Sequence, residues 1–399
     1  MQQILKRAKG DRIIWGVVIV LSLISLMAVY SSTGSLAYRM KNGHTEYYLA
    51  KQLFYLIGGL AIIYFAHRLK YTVFSNVAVL LFAISIPLLL YTLFFGTSLN
   101  EGSRWITVPV VGVTFQSSDL AKLALFMFLA RQLSRMQNDL GNFKKVALHI
   151  FLPVIVICGL IAMANLSTAL MIAFSCGVLF FIGRVKTMHL VILMTSALLL
   201  FGVLFAVSKL SGFGRAETWE QRIKDFSSDK KEDVPFQVMQ SKIAIAKGQM
   251  TGVGPGNSSQ RNFLPHPYSD FIFAIIIEEY GVAIGGFGLI FLYLLFLWRS
   301  IVIFRRCPFA FGAFLAVGLS FTLVFQAFLN MAVNVNLVPV TGLTLPLVSM
   351  GGSSIWFTCL TIGIILSVSR FVDDAEGSQS NQTLESISQQ ATQNSDADA

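Results

Sequence analysis

Residues 263–280, FLPHPYSDFIFAIIIEEY, pass from an irregular polar loop into an apolar segment. Asp270 is the acidic residue at this junction. An ionisable carboxylate at the edge of a membrane-embedded segment is costly to keep, so it marks a candidate functional site. Aspartate also caps helix N-termini, and this local role explains Asp270 equally well until the rest of the chain is considered.

The composition predicts an all-α, polytopic integral membrane protein. The chain has 399 residues, of which 55% are hydrophobic and 13% are charged, whereas soluble domains carry about 25% charged residues. The formal net charge is +10, but the basic residues lie in short loops between apolar runs. That pattern is typical of membrane topology, with membrane lipid as the counter-charge, and we expect no nucleic acid partner.

Apolar runs near the length of about 20 residues that a helix needs to cross a bilayer predict roughly ten spans. The first run lacks a small-residue cleavage site, so we interpret it as a span and not as a removable signal. The fifth and sixth runs are separated only at Asn165, which predicts a tight hairpin, and the eighth is long enough to begin as a partly embedded half-helix. The runs are 13–32, 49–66, 73–95, 119–137, 146–164, 166–183, 188–207, 272–298, 308–332 and 352–370.

Most Lys and Arg residues of the short loops fall on one side when the N-terminus is placed in the cytoplasm, so both termini are expected there. A long extracytoplasmic loop, 208–270, then connects spans seven and eight, and it contains a segment of helical periodicity, VPFQVMQSKIAIAKGQ. A polar tail with few apolar residues is expected to be disordered. The domains are a basic N-terminus (1–12), a ten-span membrane domain (13–370) and a cytoplasmic tail (371–399).

A glycine-rich turn, TGVGPGNSSQ at 251–260, precedes the Asp270 junction. Glycine allows tight turns and close approach of the backbone to a ligand. Amide and hydroxyl groups beside a fixed carboxylate suit a polar, hydroxyl-bearing ligand, although a simple re-entry loop is the alternative. The binding candidates of this region are Asn257, Ser258, Gln260 and His266.

Two basic residues of the segment 100–126 are candidates for holding an anionic group such as a pyrophosphate. They are Arg104, in a predicted outer loop, and Lys122, at the start of the fourth span. Asp119 lies three residues before Lys122 and therefore on the same helix face, so an internal ion pair is the simpler explanation of that pair. The four cysteines match no metal-site spacing, and we predict neither a disulfide framework nor zinc.

The segment 330–354, NMAVNVNLVPVTGLTLPLVSMGGSS, contains two prolines, several hydroxyl groups and a Gly-Gly pair. Irregular backbone at membrane depth is tolerated only where protein or a wet cavity shields it. We therefore predict a re-entrant segment that lines a cavity before the last span, with Ser349 and Ser353 as binding candidates. Glu278 would lie roughly 80° from Asp270 around a helix and so share its face, while the alternative for Glu278 and Glu279 is pairing with basic groups in the bundle.

Five motifs together resemble the SEDS family (FtsW/RodA/SpoVE), over about 12–370 of this chain. They are GSRWI, FQSSDLAKLAL, GVGPGNSSQ, LPHPYSDFIFAIIIEEYG and PVTGLTLPLVSMGGSS, and the set is most similar to the cell-division branch. The resemblance implies a peptidoglycan glycosyltransferase of the inner membrane, at the division septum, with lipid II as substrate. It also implies a class B penicillin-binding protein and other division proteins as partners, and it identifies Asp270 as the essential acidic residue.

Some positions depart from the family pattern. His266 and Tyr268 stand where the family usually has glutamate and histidine, and Asn165 replaces an acidic residue. Asp270 is therefore the one carboxylate of its motif and the expected general base, while Arg104 and Lys122 are expected to stabilise the leaving pyrophosphate. No cofactor is certain, and a divalent cation (Mg or Mn) is left open. The alternatives are a lipid II flippase, a scaffold that recruits a synthase, and the same polymerase acting in elongation.

Overall fold

The structure, a computed structural model, describes residues 10–34, 36, 38, 45–99, 102–107, 114–211 and 235–397. Helices dominate it, and a three-stranded antiparallel sheet of order β1-β2-β3 joins the third and fourth helices. The strands are β1 (Thr97–Leu99), β2 (Gly102–Thr107) and β3 (Thr114–Gln116). The first helices are α1 (Arg12–Ser32), α2 (Thr45–Arg68), α3 (Tyr71–Phe95), α4 (Ser117–Arg135), α5 (Phe143–Ala164) and α6 (Leu166–Ile182). The remaining helices are α7 (Thr187–Ser211), α8 (Phe236–Gly248), α9 (Ile272–Tyr280), α10 (Phe287–Arg306), α11 (Ala310–Asn334) and α12 (Ser353–Ala397).

Each of the ten apolar runs forms a helix, and the prediction of an all-α, polytopic membrane protein is confirmed. Within the described residues, seven helical segments are long and apolar enough to cross a membrane, and α9 with α10 counts as one of them. The helix α4 has a lower hydropathy because it carries Asp119, Lys122, Arg131 and Arg135. Most of α4 is buried in the bundle: Asp119 is buried, Lys122 and Arg131 are half-buried, and Arg135 is exposed at the end of the helix.

One end of the bundle is fixed by Asp11, which precedes α1. Its carboxylate caps the helix by accepting hydrogen bonds from Ile13 N and Ile14 N at 2.9 and 3.1 Å. The same carboxylate accepts from Arg299 Nε of α10 at 2.7 Å, and Asp11 N donates to Ser369 Oγ of α12 at 2.9 Å. Three helices are therefore joined at this point, which we call the Asp11 end.

The opposite end of the bundle carries the junction between α9 and α10, where the helical hydrogen-bond ladder is interrupted at Gly281. Val282 N donates to Gln249 O at 2.8 Å. In the other direction, Val253 N donates to the carbonyl of Glu278 at 2.9 Å. The loop after α8 thus supplies partners that an unbroken helix would supply itself, and α9 is the separate first half that the sequence predicts.

The contact between the loop after α8 and the α9–α10 junction requires glycine at two positions. A Cβ on Gly252 would collide with the carbonyl of Glu279, and a Cβ on Gly281 would collide with the carbonyl of Met250. Both glycines have positive φ, +82° and +77°, which other residues adopt with strain. Two backbones can therefore touch here only because neither carries a side chain.

Two further predictions concern the ends of helices. Asn165 alone separates α5 from α6, as predicted, and it caps α6. The tail predicted to be disordered, 371–399, instead continues α12 as helix as far as Ala397. The tail contains no proline to end the helix, and its first turns are held when Arg306 Nε donates to Glu376 Oε1 at 2.7 Å.

Candidate active site

Asp270 lies just before α9, which begins at Ile272. Asp270 is not the N-cap residue of α9, since that position is Phe271, whose side chain makes no cap bond. The cap comes from another helix: Asn334 Oδ1 of α11 accepts a hydrogen bond from Ala274 N at 3.1 Å. The Asp270 side chain is half-buried, and one of its oxygens, Oδ1, accepts from Ser269 Oγ at 3.0 Å.

The backbone of Asp270 is held by two buried amides of α11. Asn330 Nδ2 and Asn334 Nδ2 donate to Asp270 O at 2.9 and 3.0 Å. Residues four apart on a helix share a face, and Gln326 is the next amide of the same row. Sequence analysis missed this row, although three amides at four-residue spacing inside an apolar helix are a visible signal.

The segment between α11 and α12 packs against the residues that precede Asp270. Ser349 Oγ donates to Ser269 O at 2.6 Å, and Met350 N donates to Tyr268 O at 2.9 Å. This backbone is irregular and partly buried, as the prediction of a re-entrant segment requires. It also passes the carboxylate closely, since a Cβ on Gly342 would lie 3.8 Å from Asp270 Oδ2.

Lys122 reaches the same amide row one turn away. Its Nζ donates to Gln326 Oε1 at 2.7 Å and lies 3.5 Å from Asp119 Oδ1. Gln326 and Asn330 are separated by about 6 Å along the helix axis, so Lys122 and Asp270 attach to neighbouring turns of α11. The predicted ion pair with Asp119 is present, but Asp119 Oδ2 is buried with no hydrogen-bond partner.

A groove leads away from Lys122 between α4, α11 and α12. Gln326 Nε2 donates to Thr344 O at 2.9 Å and so closes the groove against the re-entrant segment. The wall combines charged, amide and hydroxyl groups with apolar side chains, and the enclosed volume of about 20 Å³ holds about one water molecule. The polar lining residues are Asp119, Lys122, Thr322, Gln326, Ser354, Thr358 and Thr361.

Glu278 is buried and accepts hydrogen bonds from the glycine-rich turn. It is 0% exposed, and its carboxylate accepts from Ser259 N at 3.1 Å, Gln260 N at 3.3 Å and the Ser258 hydroxyl. Lys247 Nζ lies 3.8 Å away, so the predicted pairing with a basic group is present. The prediction that Glu278 shares a helix face with Asp270 is wrong, because Asp270 precedes the helix.

The glycine-rich turn therefore surrounds a buried glutamate. Ser258 and Gln260 are buried against Glu278, whereas Asn257 is exposed and donates from Nδ2 to Val253 O at 3.2 Å. Direct contact of these three residues with a substrate stays a prediction. Their observed contacts instead fix the loop that leads to Asp270.

Glu279 connects the same loop to α1. It accepts a hydrogen bond from Ser31 Oγ, and Arg261 Nη1 donates to Ser31 O at 3.0 Å. Glu279 is buried, and the charge of Arg261 lies near enough to interact with it. This contact joins the end of α1 to the α9–α10 junction.

His266 and Tyr268 form a pair beside Asp270. His266 is exposed with φ +55°, and its Nδ1 lies 3.1 Å from the Tyr268 hydroxyl. Burial raises the pKa of Tyr268, and the charges of Tyr48 and Asp270 raise it further. The phenol is therefore neutral at physiological pH and can donate a hydrogen bond.

The remaining predicted site residues are Arg104 and Ser353, and fewer contacts are described for them. Arg104 lies on β2, whose neighbouring Trp105 pairs with Gln116 directly before α4, but its side chain is outside the described residues. Ser353 is buried, and its Oγ has no hydrogen-bond partner. Among the described residues, no group of three or more His, Cys, Asp or Glu side chains is placed to hold a metal ion, and the divalent cation left open by the sequence stays a prediction.

These observations define a multi-pass membrane protein with a carboxylate site held between two loops at one end of the helical bundle. The chain matches the model of the FtsW/RodA/SpoVE family, described as cell cycle proteins, over residues 11–374. It belongs to this family.

Known proteins and solved structures are similar to this chain over most of its length. It is 34% identical over 368 residues to the probable peptidoglycan glycosyltransferase FtsW of Haemophilus influenzae, covering 90% of each chain. It is 32% identical over 378 residues to stage V sporulation protein E of Bacillus subtilis, covering 92% of this chain and 98% of that protein.

A solved structure described as "Structural coordination of polymerization and crosslinking by a peptidoglycan synthase complex" matches with a TM-score of 0.67 and 28% identity, covering 91% of this chain and 98% of the other. The rod shape determining protein RodA of Thermus thermophilus matches with a TM-score of 0.62 and 25% identity, covering 90% and 97%. The protein is an enzyme of the glycosyltransferase class.

Proposed function

We propose that the protein polymerises lipid II into glycan strands at the outer face of the cytoplasmic membrane, with Asp270 as the general base. The observation that carries this proposal is the environment of Asp270. Asn334 replaces it as the helix cap, and Asn330 and Asn334 fix its backbone carbonyl. These backbone contacts position the carboxylate, and relatives named as peptidoglycan glycosyltransferases support the reaction class.

The reaction joins the C4 hydroxyl of an acceptor GlcNAc to C1 of a donor MurNAc. Asp270 accepts the hydroxyl proton as the new C–O bond forms, and general-base assistance of this kind is worth about 10²–10⁴-fold. The bond between C1 and the pyrophosphate oxygen breaks, and the undecaprenyl pyrophosphate leaves with the electron pair. A single in-line displacement converts the α-linked donor into a β-linked product, so no covalent enzyme intermediate is required.

The leaving pyrophosphate needs positive charge or preorganised donors close to it. Lys122 supplies the cation at the mouth of the groove, one helical turn from the residues that hold Asp270. Arg104 is the second candidate. Tyr268, which is neutral, can donate a hydrogen bond to a sugar hydroxyl next to the base.

The groove beside Lys122 is lined by polar and apolar side chains. Leu123, Phe126, Leu319, Leu323 and Phe357 contribute its apolar wall. Its free volume is about 20 Å³, so we place the polyprenyl chain of the substrate in the bilayer and only the polar head near Lys122, at the same end of the bundle as Asp270.

We further propose a role in septal wall synthesis, with both termini in the cytoplasm and a class B penicillin-binding protein as partner. The sequence motifs are most similar to those of the division branch, and relatives named FtsW support that branch. The similarity to a structure described as a peptidoglycan synthase complex supports a synthase partner. Elongation-type synthesis is the alternative within the same reaction.

The rival function is lipid II transport without chemistry. One observation favours it: the hydroxyls of Thr358 and Thr361 extend the polar lining away from Lys122 along α12. Purified protein separates the two functions when glycan formation from lipid II and movement of lipid II across a vesicle bilayer are measured on the same samples. We expect Asp270→Ala to abolish glycan formation and to leave binding of lipid II intact, with and without the penicillin-binding partner.

A matched acidic control is Asp139→Asn. Asp139 is exposed and pairs with Lys145 at 2.8 Å, far along the chain from the site. It should retain full glycan formation. Glycan formation by Asp270→Ala at the rate of Asp139→Asn, or loss of transport in a protein that never makes glycan, would reject the enzymatic proposal.

A further inference from the structure

The helix α8 presents an apolar stripe that no other part of the described structure covers. Phe236, Met239 and Ile243 are 54%, 43% and 40% exposed, and they fall within about 60° of one another at 100° per residue. Met250, just beyond the helix, is 61% exposed. Large apolar side chains grouped on one face need an apolar environment.

The opposite face of α8 is fixed to the membrane domain. Ser241 Oγ donates to Asn334 O, at the end of α11, with a distance of 2.7 Å. At the other end of α8, Ala283 N donates to Met250 O at 3.2 Å, next to Gly281. The helix is thus attached at its middle and just after its C-terminal end, and the stripe faces away from the attachment at Ser241.

Helix lengths show where these attachment points lie relative to the bilayer. From Asp11 to Ser31, which contacts Glu279, α1 rises about 30 Å, and α11 rises about 36 Å from Ala310 to Asn334. Each value is close to the thickness of the hydrocarbon core, about 30 Å. Both helices start at the Asp11 end, where Asp11 contacts Ser369 and Phe309 contacts Phe371 with ring centroids 5.8 Å apart.

The middle of α8, at Ser241, and the residue Met250 just after its C-terminal end therefore lie about one core thickness from the Asp11 end. Ser241 is level with Asn334, and Met250 is level with Gly281. A helix whose middle and C-terminal end lie at the same height runs along the membrane surface and does not cross it. That height is the boundary between acyl chains and headgroups.

Two lysines of α8 complete the pattern of an interfacial helix. Lys242 is exposed and lies about 60° from Met239 around the helix axis. Lys247, also largely exposed, donates to Ser259 Oγ at 2.6 Å. An apolar stripe bordered by lysines is typical of helices that lie in the headgroup layer, where the cations meet lipid phosphates.

We propose that α8 is an interfacial helix seated in the leaflet at the Asp270 end, with its stripe of Phe236, Met239, Ile243 and Met250 in the acyl boundary and Lys242 on the phosphate of an anionic phospholipid. This inference does not depend on the proposed function. It has a consequence for the site, because the backbone pairing of Val253 with Glu278 ties α8 to α9, and α9 begins two residues after Asp270. Lipid contact by α8 therefore acts on the loop that precedes Asp270, in addition to the contacts from α11 that hold its backbone.

Spin labels on the full chain test the proposal. Nitroxide side chains are placed singly at Met239, Ile243 and Lys242, in a background whose four cysteines are alanine, and the protein is held in nanodiscs of phosphatidylethanolamine and phosphatidylglycerol. Collision with oxygen reports the acyl region, and collision with an aqueous nickel chelate reports water. We expect the ratio of oxygen to nickel collisions to be severalfold higher at Met239 and Ile243 than at Lys242.

All three positions are exposed, so the labels should leave the melting temperature unchanged, and Met250 provides a further site if one label perturbs the helix. Equal ratios at Ile243 and Lys242 would show that the stripe faces water and would overturn the proposal. Protection of Met239 and Ile243 from both reagents would also overturn it, because the stripe would then lie against protein and not against lipid.

Discussion

Replacement of Asn334 by alanine should weaken both the fold and the reaction, since this one amide serves two purposes. Its Oδ1 caps α9 at Ala274 N, and its Nδ2 donates to Asp270 O. Loss of a helix cap costs about 1 kcal/mol, and loss of a buried hydrogen bond costs about 1 kcal/mol more. We therefore expect the free energy of unfolding to fall by about 2 kcal/mol, because Asn330 still holds the Asp270 carbonyl.

The effect on the rate should exceed the effect on stability. A shift of the base by about 1 Å is enough to slow a positioned reaction about 100-fold. The assay is the initial rate of glycan formation from saturating lipid II, measured beside the thermal unfolding of the same protein in micelles. Asn334→Asp keeps an oxygen that can cap Ala274 N but loses the donor to Asp270 O, so it should recover more stability than rate.

Asp139→Asn is again the control. Asp139 is exposed, and its side chain pairs with Lys145 at 2.8 Å. Surface substitutions of this kind change stability by less than about 0.5 kcal/mol. If Asn334→Ala behaved like Asp139→Asn in both unfolding and glycan formation, the argument that α11 positions Asp270 would be refuted.

Three further changes follow from individual contacts. Lys122→Gln should lower kcat for glycan formation by about 10²–10³-fold, the typical cost of one lost oxyanion donor, and should also lower the melting temperature because the buried Asp119 loses its ion-pair partner; an unchanged kcat would remove Lys122 from leaving-group stabilisation. Gly252→Ala should prevent accumulation of folded protein, because its Cβ would meet the carbonyl of Glu279, and normal yield with an unchanged melting temperature would contradict the observed backbone contact. Asp11→Ala should destabilise the bundle by about 3–5 kcal/mol, since it leaves Arg299 without its buried partner, and a shift in melting temperature no larger than that of Asp139→Asn would contradict this role.

Sequence patterns predicted the features that depend on local periodicity. The apolar runs became helices, the single residue Asn165 became the hairpin turn, and the proline- and glycine-containing stretch became irregular backbone. The helical segment in the long loop became α8. These outcomes depend on residues close together in the chain, which is why the pattern alone is informative.

The parts of the site that sequence analysis missed depend on contacts between distant residues. The cap of α9 comes from Asn334, 60 residues away from Ala274. No residue near Asp270 in the sequence indicates that a distant side chain caps this helix. The assumption that Asp270 and Glu278 lie on one helix failed for the same reason, because the helix begins only where its distant cap allows. The tail differs in another way: its composition suggested disorder, while the absence of proline permits α12 to continue.

The measurement that tests the central claim most directly is the initial rate of glycan formation by Asp270→Asn at saturating lipid II, with its penicillin-binding partner present. Asparagine has nearly the same shape as aspartate but cannot accept the proton as a carboxylate does. The proposed mechanism predicts wild-type melting temperature, wild-type binding of lipid II and no detectable polymer. Polymer formed by Asp270→Asn at a rate near that of the wild type would contradict it.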